Sequence, residues 1–294
     1  MLQSIKKGWH FDCATGHYMK TLINKILNFI GIKVVNIKKY KKLINSEKNY
    51  VQNLKTTEEF RKVIKELVIK GENLPQETYQ KIKSQNLQDL IALDLFGFKR
   101  KGVFIEAGAC DGILNSNTFL LEKNYDWTGL LVEPVSEYYL QLEQNRDVIT
   151  SNVAISKVNN KQLDFLITAN KDLSTIKGYE GNDYHSENRM NYNIEKVTTK
   201  TLDQLIIENF QNFEIDFLSL DTEGSEFEII KSLDFSKHKI NVICVEHNFN
   251  TNRDLIRKYL LKNNYKLLNF PFLQIDDFYI LNTFSPKNKY FQFD

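Results

Sequence analysis

The sequence predicts an α/β fold with a mostly parallel β-sheet and helices on both of its faces. From residue 102 onward, short apolar runs alternate with stretches of helical periodicity, which is typical of a parallel sheet. Several of these apolar runs end in an acidic residue. The chain has 294 residues, enough for one large α/β domain with an appendage.

The composition is that of an ordinary globular protein, with 42% hydrophobic and 26% charged residues. A net charge of +2 argues against a protein devoted to nucleic acid. The three cysteines have no CxxC spacing, which suits a reducing compartment better than a disulfide framework or a structural zinc site. No apolar run reaches the roughly 20 residues of a membrane span, and residues 1–20 lack a signal-peptide core. We therefore expect a cytoplasmic protein without a transmembrane span or a nucleic-acid partner.

The N-terminal part predicts helices, and we divide the chain into a helical extension, residues 1–83, and an α/β domain, residues 84–294. Residues 21–42 combine apolar periodicity with many lysines. They favour a packing helix with solvated lysines, although weak peripheral contact with an anionic membrane surface stays open. Helical periodicity recurs over residues 56–70, with Thr57 as the cap, and over residues 75–96.

The elements of the α/β domain alternate along the chain. Apolar runs predict strands at residues 103–106, 129–132, 148–154, 163–167, 196–200, 215–220, 240–245, 265–269 and 278–281. Helical patterns cover residues 116–123, 137–144, 227–233 and 254–263, and one more helix begins after Thr201 as its cap. The polar stretch 169–193 has few apolar residues and predicts a lid or a substrate loop.

Polar residues, most of them acidic, follow four of the predicted strands. They are Glu106 with Asp111, Glu133, the segment 221–226, and Glu246 with His247. In an open α/β sheet, ligands bind outside the carboxyl ends of the strands. Because several strand ends carry acids in one domain, we interpret them as a ligand site rather than as helix caps.

A glycine turn follows the first of these strands. Gly108 and Gly112 would let a ligand approach the backbone closely. The middle glycine of the G-x-G-x-x-G pattern is missing, and the acids beside the turn suit a cation better than a pyrophosphate. S-adenosylmethionine carries an ammonium and a sulfonium and has no phosphate. Glu133, about twenty residues further on, is placed to bind its ribose hydroxyls.

Five segments carry a resemblance to a known family. They are FIEAGACDGILNSNTFLLEK, GLLVEP, SNVAIS, DFLSLDTEGSEFEIIKSLDF and VICVEHN. In this order and spacing, residues 84–281 resemble the FkbM family of S-adenosylmethionine-dependent methyltransferases. The resemblance implies a Rossmann-like class I methyltransferase fold and transfer of a methyl group to a hydroxyl, often on a sugar or a secondary metabolite.

The resemblance also implies which residues bind the cofactor. It places Glu106, Gly108, Asp111 and Gly112 around the methionine end, Asn117 at the start of the next helix, Glu133 and Pro134 by the ribose, and Ala154 by the adenine. Cys110 stands where many members carry asparagine, which puts one hydrogen bond in question.

Methyl transfer to a hydroxyl calls for a general base, because a hydroxyl has a very high pKa. The candidates are Asp221 first, His247 second, and then Glu246, Glu223 and Glu226. Asp221, Glu246 and His247 could also hold a divalent ion, but we expect no metal. We predict an O-methyltransferase acting on a sugar hydroxyl of a glycan or a glycosylated metabolite. The alternatives are an NAD-dependent oxidoreductase and a non-catalytic glycan-binding protein.

Overall fold

The computed structural model describes residues 58–181, 186–210, 214–248, 252–269 and 275–291. The basic segment 21–42 and the Thr57 cap lie outside the described residues. The helices are α1 (Glu58–Gly71), α2 (Thr78–Lys81), α3 (Gln88–Leu95), α4 (Phe119–Tyr125), α5 (Ser136–Asn145), α6 (Leu202–Asn209), α7 (Glu226–Ser232) and α8 (Arg253–Lys262). The strands are β1 (Val103–Ala107), β2 (Thr128–Val132), β3 (Ile149–Ser151), β4 (Ala154–Ile155), β5 (Gln162–Thr168), β6 (Thr175–Ile176), β7 (Tyr192–Lys200), β8 (Ile215–Leu220), β9 (Ile240–Glu246), β10 (Tyr265–Leu268) and β11 (Asp276–Leu281).

The central sheet has seven strands in the order β10-β11-β9-β8-β1-β2-β3. Strands β9, β8, β1, β2 and β3 pair in parallel, and β11 runs antiparallel between β9 and β10. Every residue of β8 and β9 is buried, as expected for strands that are covered on both faces. The predicted α/β class with a mostly parallel sheet is therefore confirmed.

Two hydrophobic layers cover the two faces of this sheet. Phe104 belongs to the layer packed against α1, α3 and α4, whereas its neighbour Ile105 belongs to the layer packed against α6, α7 and α8. This alternation follows from the two-residue period of a strand. Helix α1 contributes its apolar stripe, Val63, Ile64 and Leu67, to the first layer. The described part of the predicted extension thus shares a core with β1, and a boundary at residue 83 stays a prediction.

A second, four-stranded sheet, in the order β4-β7-β5-β6, was not predicted. The single strand expected over residues 148–154 is wrong, because β3 and β4 belong to different sheets. The Asn152 side chain donates to the carbonyl oxygens of Glu133 (2.8 Å) and Pro134 (3.2 Å), so the chain leaves the central sheet between β3 and β4. The expected loop at residues 169–193 contains β6, which pairs with β5.

The helix expected over residues 75–96 is interrupted. Helices α2 and α3 are separated by a segment in which Leu87 has φ +68°. Polar side chains close this break: the Gln88 Oε1 accepts from the Asn86 N–H at 2.7 Å, and the Ser84 Oγ donates to Asp89 at 2.6 Å. Such local bonds compete with helical hydrogen bonds. Among the helices of the described ranges, none is long and apolar enough to cross a membrane.

Candidate active site

A cavity of about 540 Å³ lies at the carboxyl ends of the central strands. It opens beside the end of β1. In the sheet, β2 and β3 lie on one side of β1 and β8 and β9 on the other, so the strand order changes direction at β1. Open α/β sheets bind ligands at this point, and the volume is typical of a small-molecule site. The ends of β1, β2, β8 and β9 form one wall, and the second sheet with residues 170–176 forms the other.

The turn after β1 touches the end of β8. Gly108 has φ +81°, and a Cβ there would lie 1.9 Å from the carbonyl oxygen of Asp221. The Asp221 N–H donates to the Ala107 carbonyl oxygen at 3.1 Å. Glycine is therefore required by the approach of the protein's own backbone, which holds Asp221 beside the turn.

Asp111 and Gly112 have local roles in this turn. The Asp111 carboxylate accepts from the N–H groups of Ile113 (2.8 Å) and Leu114 (2.7 Å). A Cβ on Gly112 would lie 2.5 Å from a methyl carbon of Leu142, so this glycine lets α5 pack closely. Neither Asp111 nor Gly112 is among the described residues that line the cavity.

Glu106 is buried in the cavity wall and organises the segment before α4. It accepts from the Ser116 hydroxyl (2.9 Å), the Asn117 N–H (2.6 Å) and the Thr118 hydroxyl. Burial raises the pKa of Glu106, while the charge of Arg146 and these donors oppose the rise. Through these bonds Glu106 positions Asn117 at the cavity, and Arg146 is a partner that the sequence analysis missed.

Asn117 presents an acceptor that has no partner among the described residues. Its amide nitrogen donates to the Ser219 hydroxyl at 2.9 Å, whereas its Oδ1 is buried without a hydrogen bond within the described ranges. Native proteins rarely leave a buried acceptor unsatisfied, and a ligand is one explanation. Since Asn117 lines the cavity, its amide oxygen suits a ligand with an N–H group.

Glu133 ends β2 with its carboxylate at the cavity. Its two oxygens accept from the N–H groups of Cys110 (2.8 Å) and Val135 (2.7 Å). Burial raises the pKa of Glu133 to about 7, against the effect of these two donors. Each carboxylate oxygen has a second lone pair, so Glu133 can accept two further hydrogen bonds from a ligand.

An apolar pocket lies beyond Glu133 and Pro134. Ala154 and Ile155 of β4 line it together with Phe165 of β5 and Ile176 of β6. Ala154 was expected here, but Phe165 and Ile176 belong to the unpredicted sheet and were missed. The pocket offers apolar surfaces to a flat, weakly polar group next to the Glu133 carboxylate.

Three carboxylates meet on the opposite side of the cavity. Asp221, Glu223 and Glu246 each offer an oxygen within 4.8 Å of the others. Burial, and then the charges of Asp221 and Glu223, raise the pKa of Glu246 well above its usual range, and Glu246 is hydrogen-bonded to Asp221. The arrangement therefore favours a proton shared between these two side chains.

Arg189 balances part of this negative charge. Its side chain is buried, donates from Nη2 to Glu223, and donates from Nε to the Leu173 carbonyl oxygen at 2.7 Å. A buried arginine beside a carboxylate stabilises the charged form of that carboxylate. Arg189 was missed because it lies 34 residues before its partner, in the stretch that was predicted to be a loop.

His247 lies apart from this cluster. Its backbone N–H donates to the Ile275 carbonyl oxygen at 2.7 Å, and its Nε2 is 3.7 Å from a carboxylate oxygen of Asp277. Burial lowers the pKa of His247 to about 4, and His247 is not among the described residues that line the cavity. The metal set that the sequence made possible, Asp221, Glu246 and His247, is therefore not assembled, and Glu223 stands in the place of the histidine.

Comparison with known proteins identifies the family. Residues 106–267 match the family described as the methyltransferase FkbM domain. No curated protein matches the chain. Among solved structures, TrmK from M. capricolum, in complex with its natural cofactor product S-adenosyl-homocysteine, is 11% identical, with a TM-score of 0.36 over 69% of this chain and 68% of that one.

Two further solved methyltransferases are similar to the chain. The precorrin-6y C5,15-methyltransferase from Geobacter metallireducens is 12% identical, with a TM-score of 0.34 over 68% of this chain and 88% of that one. A methyltransferase from Pyrococcus furiosus is 14% identical, with a TM-score of 0.30 over 69% of this chain and 84% of that one.

The family match decides between the alternatives that the sequence left open. It covers more than half of the chain and supports neither a nicotinamide-dependent oxidoreductase nor a non-catalytic glycan-binding protein. The chain belongs to the FkbM methyltransferase family and is an S-adenosylmethionine-dependent methyltransferase.

Proposed function

We propose that the protein is an O-methyltransferase that methylates a sugar hydroxyl of a glycan or a glycosylated metabolite. The observation that carries the proposal is the carboxylate cluster of Asp221, Glu223 and Glu246 beside the cavity. A hydroxyl acceptor needs a group that takes its proton, and the Asp221–Glu246 pair supplies one.

The charges along the cavity fit S-adenosylmethionine. The described part of its wall carries six carboxylates, those of Glu106, Glu133, Asp172, Asp221, Glu223 and Glu246. The one lysine that lines it there, Lys171, is paired with Glu137. Negative potential attracts a ligand with a sulfonium and an ammonium and repels a pyrophosphate.

The polar and apolar groups support an orientation for this cofactor. The second lone pairs of Glu133 suit two ribose hydroxyls, and Pro134 follows directly. Ala154 and Phe165 offer an apolar site for adenine, and the Asn117 amide oxygen suits the ammonium. When bound, the cofactor supplies a methyl group activated by the positive charge on sulfur.

Asp221 is our candidate for the general base. Both Asp221 and Glu246 line the cavity, but Asp221 is half-buried whereas Glu246 is buried. Arg189 stabilises the charge of Glu223, so the shared proton stays between Asp221 and Glu246. The more exposed partner, Asp221, carries the negative charge and accepts the hydroxyl proton. We leave His247 out of the catalytic set because of its low pKa and its position.

Replacing the base gives a direct test. Asp221→Asn keeps the shape but not the basicity, so we expect kcat to fall about 10²- to 10⁴-fold. Binding of S-adenosylmethionine should change little, because the ribose and adenine contacts are untouched. Asp147→Asn, at an exposed carboxylate, is the matched control and should keep full activity.

The acceptor can be identified by mass spectrometry of glycans from cells with and without the active enzyme. We expect one added CH2 unit on a sugar that disappears with Asp221→Asn. NMR of the product should locate the new methyl group on oxygen. A methyl group on nitrogen or carbon would contradict the proposed acceptor, and full transfer by both Asp221→Asn and Glu246→Gln would contradict the proposed base.

A further inference from the structure

We infer that the acceptor carries an anionic group, a phosphate or a carboxylate, which binds in a basic groove beside the active-site cavity. The basic groove is lined by Arg61, Lys65 and Lys83 together with Ser84 and Asn86. The inference rests on the proposed function, because it concerns the substrate of that same site.

The basic groove adjoins the cavity. Gln85, Asn115 and Ile275 line both spaces, so a molecule can reach from one into the other. A backbone bridge between Ser84 and Asn115 holds the shared rim together. Ile275 also accepts the N–H of His247, the residue after Glu246, which places the shared rim near the carboxylate cluster.

The three cations approach the basic groove from two elements. Arg61 and Lys65 lie four residues apart and therefore on one face of α1, and Lys83 comes from the segment after α2. All three side chains are partly exposed. The basic groove measures about 400 Å³, and no acidic residue is among the described residues that line it.

The contacts of the two lysines leave their charge available to a ligand. Arg61 donates to the Asn86 side-chain oxygen at 3.2 Å, and Lys65 donates weakly to the Ile82 carbonyl oxygen at 3.4 Å. Lys83 lies 5.9 Å from the centre of the Phe119 ring. Within the described ranges, neither Lys65 nor Lys83 forms an ion pair with a carboxylate. The acid that does act on Lys65, Asp89, is fully buried beneath the surface, and burial raises its pKa to about 6.

The two adjoining spaces thus have opposite charge. The cavity is acidic and suits the cationic methyl donor, whereas the basic groove would repel that donor and attract an anion. An anionic acceptor would place its charge in the basic groove and its hydroxyl towards Asp221.

Binding of simple sugars tests the inference on the full-length protein saturated with S-adenosylhomocysteine. The probes are glucose 1-phosphate, glucuronate and uncharged glucose, and the measurement is calorimetry or ligand-observed NMR. We expect at least one charged probe to bind about tenfold or more tightly than glucose, since hydrogen bonds to charged groups are the stronger class. This preference should weaken with added salt.

A double variant and a matched control locate the binding. Lys65→Gln with Lys83→Gln should abolish the preference for the charged probe. Lys62→Gln with Lys70→Gln removes the same charge from exposed positions of α1 outside the basic groove. This control variant should keep the preference for the charged probe. Selective binding of glucose 1-phosphate would identify a phosphorylated acceptor, and selective binding of glucuronate would identify a sugar acid.

The inference would be overturned by no binding of either charged probe, by an equal loss in both double variants, or by weaker S-adenosylmethionine binding in Lys65→Gln with Lys83→Gln. The last result would assign the basic groove to the carboxylate of the donor. Methylation of neutral sugars, unaffected by that variant, would reject an anionic acceptor and leave the O-methyltransferase intact. Binding of a charged probe in the basic groove without any O-methylated product would support an anionic ligand there and contradict the proposed O-methyltransferase.

Discussion

Replacing Glu133 by glutamine tests whether the end of β2 binds the ribose of S-adenosylmethionine. The Glu133 side chain is buried, and both of its oxygens already accept backbone N–H groups, from Cys110 and Val135. Glutamine has nearly the same shape but replaces one acceptor oxygen by an NH2 group. It therefore loses the acceptor for one ribose hydroxyl and the negative charge that strengthens both bonds.

The size of the effect follows from these contacts. A hydrogen bond to a charged group contributes about 1.5–3 kcal/mol. Losing one such bond and weakening the other costs about 2–4 kcal/mol, which corresponds to about 30- to 700-fold weaker binding of S-adenosylmethionine. One backbone N–H is also left without an acceptor, at a cost of about 1–3 kcal/mol in the free energy of unfolding.

The pH dependence provides a second signature. Burial raises the pKa of Glu133 to about 7, so a large fraction of the empty protein carries a protonated Glu133 below that pH. Ribose hydroxyls donate to the charged form, and the protonated form must release its proton when the cofactor binds. The affinity of the wild-type protein should therefore rise between about pH 6 and pH 8, and Glu133→Gln should lose this dependence.

Isothermal titration with S-adenosylmethionine measures both effects, and buffers with different ionisation enthalpies report the released proton. Glu143→Gln on α5 is the matched control, because Glu143 is exposed and bonds only the Tyr139 hydroxyl among the described residues. Thermal unfolding shows whether each variant is folded. A folded Glu133→Gln protein that binds within about threefold of wild type at pH 8 would refute the ribose assignment.

Two further predictions concern the turn after β1 and the carboxylate cluster. Cys110 has φ +47°, a conformation that asparagine tolerates better than cysteine, so Cys110→Asn should raise the melting temperature by about 1–2 °C. Cys110→Ser removes the thiol without this benefit and should leave the melting temperature unchanged. An equal rise in the melting temperature of both variants would reject the explanation. Removing divalent ions with EDTA should leave methyl transfer unchanged, because Arg189 supplies a balancing positive charge at Glu223. Restoration of activity by Mg²⁺ alone would instead assign Asp221, Glu223 and Glu246 to an ion.

The gathering of acids at one edge of the sheet could be predicted from the sequence. Strands that are joined by helical crossovers run parallel, so their carboxyl ends meet at the same edge. Glu133, Asp221 and Glu246 follow three such strands and line one cavity. The fold class could also be predicted, because β8 and β9 are continuous apolar runs, as expected for parallel strands that are buried on both faces.

The contrast between Glu246 and His247 shows a limit of the strand-end pattern. Successive residues of a strand point to opposite faces, yet Glu106 and Ala107, neighbours at the end of β1, both line the cavity. Glu246 lines the cavity and His247 does not, and Glu223 completes the cluster from the turn after β8. The position of His247 depends on the bond of its N–H to the Ile275 carbonyl oxygen, a contact that the two-residue period does not predict.

The two buried arginines were beyond the reach of such rules. Arg146 contacts the segment before α4 across 30 residues of chain, and Arg189 contacts Glu223 across 34. Nothing local marks either arginine as buried, because arginine is usually exposed. The second sheet escaped prediction for a related reason: the change of sheet at Asn152 depends on its side-chain bonds to the backbone of residues 133 and 134.

The charge distribution also links donor binding to the proposed base. Burial and neighbouring carboxylates hold the pKa of Glu246 well above its usual range. A sulfonium near this cluster would favour its charged forms, because an opposite charge at short range lowers the pKa of a carboxyl group. The shared proton would then be held less tightly, and a second carboxylate could become available to the acceptor hydroxyl. On the proposed function, an acidic donor site and a proton-sharing base are therefore two consequences of one arrangement of acids at the sheet edge.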